Sequence, residues 1–465
     1  MKNILSKFKQ WKSKKAAADL ISIIISVVLI AALVLGIMLF ISNKVRQTTQ
    51  DEINNIMNSI TGIAEANRNN TDIGYPGGPG GGEEPEVNVP STHNGIIPEG
   101  GTYYVGVTDR DTGDYTGATT TYTAGQEFPE TVNDGDVYVY GDYEYRYNKA
   151  KDYSNSWSTN VSQNGWGVDV IDRTKTTYGE ILTSVNNANV VSLSYTFYDC
   201  TKLTVAPAIP SSVTNMDQTF RGCTALIEAP AIPSSVTDMS CTFYDCTSLE
   251  KAPAIPSSVI YMNSTFKICT SLTDISDLVI PSGVTDMYHT FYGCKSLTEA
   301  PAIPSSVTTM SGTFNDCISL TKAPDMSNAS SVTDMGDTFA GCISLTDVSD
   351  LVIPSSVTDM SGTFFGCTSL TDVSDLVIPS SVTDMSSTFI HCTSLTDAPV
   401  IPSSVTKMNS TFSNCTSLTG EVKINANPTK YPYCFKNTVK PITITGSTTL
   451  KAELAATANN GNVIY

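Results

Sequence analysis

Ser355-Ser356-Val357-Thr358-Asp359-Met360-Ser361-Gly362-Thr363-Phe364-Phe365-Gly366-Cys367-Thr368-Ser369-Leu370-Thr371 is one of ten versions of a single phrase that fill the C-terminal half of this chain. Each version carries Phe and Cys three residues apart, at 197/200, 220/223, 243/246, 266/269, 291/294, 314/317, 339/342, 364/367, 389/392 and 412/415. Thr precedes every one of these Phe residues, and Leu follows every one of these Cys residues by three. Met stands four before Phe in nine versions, with Leu193 in the first, and Val stands three earlier again in all ten. Successive Cys residues are 23 or 25 apart.

A fixed period in the twenties with aligned apolar columns predicts a β-rich solenoid of leucine-rich-repeat class, ten repeats of 23–25 residues over 190–419. Val, Met, Phe, Cys, Leu and the Ile before Pro should point inward and stack on their equivalents one coil away. No coil can bury these groups alone, so neighbours must bury them together. At strand spacing ten coils make a rod of roughly 45–50 Å. The two-residue insertions, such as Ser276-Asp277, should lie outside, where loops tolerate length changes. After Leu418 the register is expected to stop, leaving 420–465 as a short β-rich cap.

The repeated phrase resembles the BspA-like family of bacterial surface leucine-rich repeats, over about half the chain. That resemblance implies a cell-surface adhesion or matrix-binding role, and it brings no catalytic residues with it.

The N-terminus reads as an anchor. Residues 1–19 form a basic cytoplasmic tail with six Lys, and 20–42 a transmembrane helix whose stretch from Leu20 to Ile41 is free of charge. Its 22 residues span about 33 Å as a helix, enough for a bilayer core. The Lys excess before it places the N-terminus in the cytoplasm and the bulk of the chain outside. A cleaved signal peptide is the competing reading. Ile53, Ile56, Ile60 and Ile63 extend a helical pattern through 43–66, an amphipathic stalk that could self-associate. With Asp19 near its start, the whole helix loosely resembles that of type IV pilin-like proteins. It lacks their Gly-Phe-type processing site and has Lys14-Lys15-Ala16 in that region. Residues 67–94, rich in Gly, Pro and Asn, read as a flexible linker.

Residues 95–189 form a small aromatic-rich β domain, holding 11 of the 21 Tyr and two of the three Trp. Val137-Tyr138-Val139-Tyr140 and Tyr143-Glu144-Tyr145-Arg146-Tyr147 alternate around Gly141-Asp142, a hairpin pattern. The segment Gly135–Tyr145, followed by Trp157, resembles small chitin-binding-type carbohydrate modules. That resemblance implies Tyr147, Trp157 and Trp166 as residues that stack on sugar rings. The competing reading makes these aromatics the core of the domain.

Ten of the 12 Cys residues share one repeat column, which predicts a buried ladder of free thiols rather than disulfides. Cys241 stands outside that column, in a variable position expected to be exposed, and Cys434 falls in the cap. No cofactor or metal is expected, since no Cys/His cluster has zinc spacing. The acidic run from Asp109 to Asp114 lacks the rest of a Ca²⁺ loop. His93, His289 and His391 are isolated from any nucleophile motif, so catalysis is not expected. Repeated Thr-Asp pairs such as Thr237-Asp238 and Thr358-Asp359 are expected to make a solvated acidic stripe.

Outside residues 1–50 the chain holds 19 basic and 44 acidic residues, a net of −25. That charge repels nucleic acid, which is excluded as a partner. The column just after Phe varies most within the chain, so it should be exposed. Its aromatics Tyr198, Tyr244, Tyr292 and Phe365 are candidate contacts for an extracellular protein or glycan. The reading as a whole is a membrane-anchored adhesin-like protein, with a minor pilin-like or virion structural subunit as the alternative.

Overall fold

A computed structural model describes residues 92–106, 117–147, 165–439, 442–446 and 463–464. The expected tail, transmembrane helix and stalk lie outside the described residues, as do nearly all of the linker, the 109–114 run and Trp157. Among the described residues no helix is long and apolar enough to cross a membrane. Residues from Asn88 to Tyr465 belong to one compact unit.

Residues 190–419 wind into the stacked coils that the period predicts. Two columns of parallel β-bridges run from coil to coil. One passes through Asn215, Asp238 and Tyr261 and later through Thr309, Asp334, Asp359, Asp384 and Lys407; the other includes Val205, Glu228, Lys251 and Asp274. Turns complete each coil. The Phe N–H donates to the Thr carbonyl of the following coil at 2.9 Å, from Phe197→Thr219 to Phe389→Thr411.

Three polar columns serve the same backbone, which explains their constancy. The Thr before Phe donates its hydroxyl to a Met carbonyl of the preceding coil, as Thr313 does to Met287 at 2.8 Å and Thr388 to Met360 at 2.9 Å. The ladder Cys donates its thiol to the preceding Phe carbonyl, as Cys317 does to Phe291 and Cys367 to Phe339, each at 3.1 Å. A Ser before Val donates to the preceding Val carbonyl, as Ser381 does to Val357 at 2.6 Å. Buried carbonyls thus gain a second donor, and little polar surface is left unsatisfied.

The apolar columns stack face to face. Successive Phe rings lie 5.2–5.8 Å apart between centroids and within 14° of parallel. The Val, Met, Phe, Cys and Leu columns are essentially inaccessible. Each Phe buried this way contributes on the order of 1.5–3 kcal/mol, but only when both neighbouring coils are present. The ladder does not stop at Phe412: Phe435 stacks on it at 5.4 Å, and Lys430 bridges Lys407. The expected end of the register after Leu418 is therefore corrected by an eleventh coil, with Thr438 where the other coils have Cys. The spacing from Cys415 hides it, because Cys434 precedes Phe435 instead of following it.

Every coil turns twice through left-handed backbone, two residues before Phe and two after. The second column reads Asp199, Gly222, Asp245, Ile268, Gly293, Asp316, Gly341, Gly366, His391 and Asn414, all with φ between 55° and 76°. Gly, Asn and Asp reach this region at least cost, which accounts for most of the column. Ile268, at φ 63°, is the strained exception. A Cβ at Gly341 would stand 2.2 Å from a carboxylate oxygen of Asp316 one coil back, so a side chain there would have to displace Asp316.

Ahead of the coils lies an eight-stranded sheet. Its strands are β1 (Thr92–His93), β2 (Thr102–Val105), β3 (Thr120–Thr123), β4 (Val137–Tyr140), β5 (Tyr143–Tyr147), β6 (Trp166–Val170), β7 (Ser184–Val185) and β8 (Ala188–Ser192). Their order is β1-β7-β8-β6-β5-β4-β2-β3. The hairpin β4–β5 pairs antiparallel around Gly141-Asp142, as the alternation predicts. β6 then pairs parallel with β8, the leading edge of the first coil, so the sheet runs directly into the solenoid.

This sheet also closes the solenoid's open end. Thr196 donates to the Val168 carbonyl at 2.7 Å, continuing the Thr column into β6. Arg173 donates to the carbonyls of Tyr198 at 2.7 Å and Thr196 at 3.2 Å, which have no earlier coil to serve them. The Tyr178 ring packs on Phe197, and its hydroxyl lies 3.3 Å from the Cys200 thiol. At the other end β9 (Gly420–Ile424), β10 (Ile442–Gly446) and β11 (Val463–Ile464) form a parallel sheet in the order β11-β10-β9.

Candidate functional site

Of the aromatics proposed for sugar stacking, Trp166 is overturned. It is fully buried, its indole N–H donates to the Val185 carbonyl at 2.9 Å, and Tyr103 packs edge-on against it. No ring face remains for a ligand. Tyr147 is half-buried and packs on Trp166 at 5.4 Å between centroids. Trp157 lies outside the described residues. Tyr103, Tyr138, Tyr143 and Tyr145 instead belong to the core of the sheet, with Asp136 buried beside Tyr103. That buried carboxylate accepts from the Tyr103 hydroxyl at 2.7 Å and the Asn133 N–H at 2.8 Å.

The column after Phe is less exposed than its variability suggested. Tyr198, Arg221, Tyr244, Lys267 and Tyr292 are half-buried, Ala340 and Ser413 are buried, and Phe365 alone is exposed. The reason is that side chains in successive coils cover one another. The Arg221 guanidinium carbon lies 5.4 Å from the Tyr198 ring centre and 4.5 Å from that of Tyr244. The Lys267 ammonium lies 5.6 Å from the Tyr244 ring and 4.8 Å from the Tyr292 ring. Five consecutive coils thus alternate aromatic, cation, aromatic, cation, aromatic. Such contacts are worth about 0.5–1 kcal/mol at exposed sites and more where water is displaced.

Neighbouring columns tie this ladder down. Gln218 accepts from Arg221 at 2.7 Å and donates to the Tyr195 hydroxyl. The Lys267 ammonium lies 3.0 Å from His289 Nδ1, which must accept because the ammonium has only hydrogens to give. Burial, then the nearby Lys267, pushes His289 down to about 4, so it is neutral at ordinary pH. Burial also lowers Lys267. Burial, followed by the nearby Asp316 carboxylate, raises the Tyr292 hydroxyl at the end of the run. Among the described residues, no carboxylate lies within ion-pair distance of Arg221 or Lys267, whereas Lys251, Lys322 and Lys407 each pair with an Asp at 2.7–2.8 Å.

Two other expectations change. Cys241 is half-buried at φ 51°, with its thiol pushed up to about 11, first by burial and then by Asp217. The Thr-Asp stripe is not a solvated row: Asp238 is buried, and Asp359 and Asp384 are half-buried. Each carboxylate accepts from the backbone N–H two residues on, at 2.8–2.9 Å, Asp238 from Ser240, Asp359 from Ser361 and Asp384 from Ser386. All 12 Cys are free thiols. Among the described residues no group of three or more His, Cys, Asp or Glu is placed to hold a metal ion.

Residues 191–321 match the model of the BspA type leucine rich repeat region in six copies. Residues 302–400 and 353–438 match a family described as a Mycoplasma protein of unknown function. No curated protein matches the chain. Among solved structures, a leucine-rich repeat protein from Bacteroides ovatus is 21% identical, covers 66% of this chain and 94% of its own, and gives a TM-score of 0.37. The leucine-rich repeat protein of T. pallidum is 23% identical over 44% of this chain and 89% of its own, with a TM-score of 0.35. A leucine rich cell surface protein from Faecalibacterium prausnitzii is 19% identical over 70% of this chain and 98% of its own, with a TM-score of 0.32. The period, the Phe–Cys columns and the family match agree on a leucine-rich-repeat solenoid, with the BspA-type match confined to residues 191–321.

Proposed function

We propose that this chain is a cell-surface binding protein, anchored through residues 20–41, that presents its solenoid to an extracellular protein or glycan rather than carrying out a reaction. The observation that carries this reading is the run Tyr198–Arg221–Tyr244–Lys267–Tyr292. The core columns repeat almost without change, whereas this column differs from coil to coil and places large contact-forming side chains in register. Tyr and Arg are the side chains that most often anchor interfaces. The charge-free segment 20–41 and the Lys excess before it favour an outward-facing solenoid.

The test is an array of extracellular-matrix proteins and glycans probed with the full chain. Binding that falls at least tenfold in the triple variant Tyr198→Ser, Tyr244→Ser, Tyr292→Ser is the expected result. Silence across the array, or binding indifferent to the three substitutions, would remove this column as the recognition surface.

A further inference from the structure

Resting on that reading, we infer that the ladder binds a linear polysaccharide bearing carboxylates, a polyuronate, laid along the axis of the coils. Three features of the strip point there. First, among the described residues Arg221 and Lys267 have no carboxylate within ion-pair distance, in a chain that is otherwise strongly acidic. Three other solenoid lysines are met by an Asp of a neighbouring coil, Lys251 by Asp277, Lys322 by Asp350 and Lys407 by Asp384. At 221 and 267 the neighbouring coils supply tyrosine rings instead. Asp217 and Asp245 feel the Arg221 charge but lie beyond ion-pair distance, so no carboxylate takes up its donors.

Second, both faces of Tyr244 and one face each of Tyr198 and Tyr292 are covered by cations. Arg221 lies between Tyr198 and Tyr244, and Lys267 between Tyr244 and Tyr292. Between the cations the strip therefore offers ring edges, hydroxyls, and guanidinium and ammonium N–H groups rather than open ring faces. That donor set suits carboxylates, which Arg meets with two parallel N–H donors, and the hydroxyls between them. Lys267 has one hydrogen directed to His289 and two remaining for a ligand.

Third, the cations recur every second coil, about 10 Å apart at strand spacing. One pyranose advances a glycan by about the length of one coil. A chain with a carboxylate on every ring, or on every second ring, therefore meets Arg221 and Lys267 in register. An acidic peptide has no fixed charge repeat on a rigid backbone, so it loses more conformational entropy to match the same two points. Distant acids oppose a polyanion only weakly in saline, because charges beyond about 8 Å are screened, whereas Asp245 near Arg221 and Asp316 near Tyr292 set a local repulsion that the cation contacts must exceed.

The experiment measures binding of the full chain to polygalacturonate fragments of increasing length, beside the same fragments after reduction of their carboxyls to alcohols and beside poly-glutamate. The expected result is affinity that rises until a fragment spans both cations and then levels. It should fall at least tenfold in the Arg221→Gln, Lys267→Gln double variant, vanish for the reduced polymer, and weaken as salt is raised. Lys322→Gln with Lys407→Gln removes the same charge from ion-paired positions and should leave binding intact, with thermal unfolding confirming that both doubles are folded. Equal binding of poly-glutamate, retained binding in the first double variant, or no binding of polygalacturonate would each overturn the proposal. If polygalacturonate fails while the chain still binds an array partner through the tyrosines, the polyuronate assignment falls and the binding function stands.

Discussion

The thiol of Cys367 lies 3.1 Å from the carbonyl oxygen of Phe339 in the preceding coil, and that same oxygen accepts the Cys342 N–H at 3.1 Å. One buried acceptor thus receives two donors, and the arrangement repeats along the solenoid. It makes the thiols structural hydrogen-bond donors. Burial raises every ladder thiol, Cys392 for example to about 12. Thiolate is the reactive form, so these groups are held unreactive. A thiol-modifying reagent at pH 8 should leave the ladder unlabelled in the folded chain and label all 12 Cys after denaturation. Rapid native labelling of several ladder positions would show that the coils open readily. Cys367→Ala should cost about 1 kcal/mol, read from urea unfolding, because Phe339 keeps its other donor.

Ile268 occupies left-handed backbone at φ 63° where the other coils place Asp, Asn, Gly or His. A β-branched residue there stores roughly 1–2 kcal/mol of strain. Ile268→Asn should raise the midpoint of thermal unfolding, with a gain of about 1 kcal/mol. A loss of stability would mean that packing of the Ile side chain outweighs the strain.

Asp217 is buried one coil from the buried Asp238, and burial followed by that neighbour pushes it up to about 7. In the unfolded chain its value returns to about 3.9. Between those values the folded state binds more protons than the unfolded state, so stability falls as pH rises. The penalty is absent below about pH 4, grows by roughly 1.4 kcal/mol for each pH step of one between the two values, and is complete above about pH 7. Asp217→Asn should therefore match the parent near pH 4 and exceed it increasingly up to about pH 7–8. Parallel stability profiles for the two proteins would contradict the burial of this charge.

Arg173 supplies the N–H donors that an earlier coil would otherwise give to Thr196 and Tyr198. It is held for this by Asp169 at 2.6 Å. Arg173→Ala should destabilise the first coil by about 1–3 kcal/mol, since backbone carbonyls lose charged donors. Hydrogen exchange should quicken at Phe197 and Asp199 and stay unchanged at Phe364. Uniform quickening along the whole solenoid would indicate a single cooperative unit, in which loss of the cap is felt everywhere.

Much of this architecture is written in the repeat itself. Columns of Val, Met, Phe, Cys and Leu at a 23–25-residue period admit only one arrangement, in which each coil buries what its neighbour exposes. Even the Gly, Asn and Asp two residues after Phe announce the left-handed turn they occupy. The eleventh coil was hidden because Tyr431 and Cys434-Phe435 keep the ring but lose the Thr–Phe–Cys phrase. Only the stacking of Phe435 on Phe412 reveals it. Trp166 looked like a surface aromatic because composition says nothing of depth; its burial follows from β6 lying between β5 and β8. The binding strip shows the same division. That Tyr, Arg, Tyr, Lys and Tyr share one column is plain from the register. That each cation sits between two rings rather than beside a carboxylate depends on side-chain packing across coils 23–25 residues apart, and one-dimensional order cannot express it. The sequence by itself determined the coil, its period and its inward columns, because burial of a repeated apolar set has one cooperative solution. Tertiary structure alone decided which polar groups commit their hydrogen bonds and charges to the fold, and that Arg221 and Lys267 meet tyrosine rings where Lys251, Lys322 and Lys407 meet carboxylates.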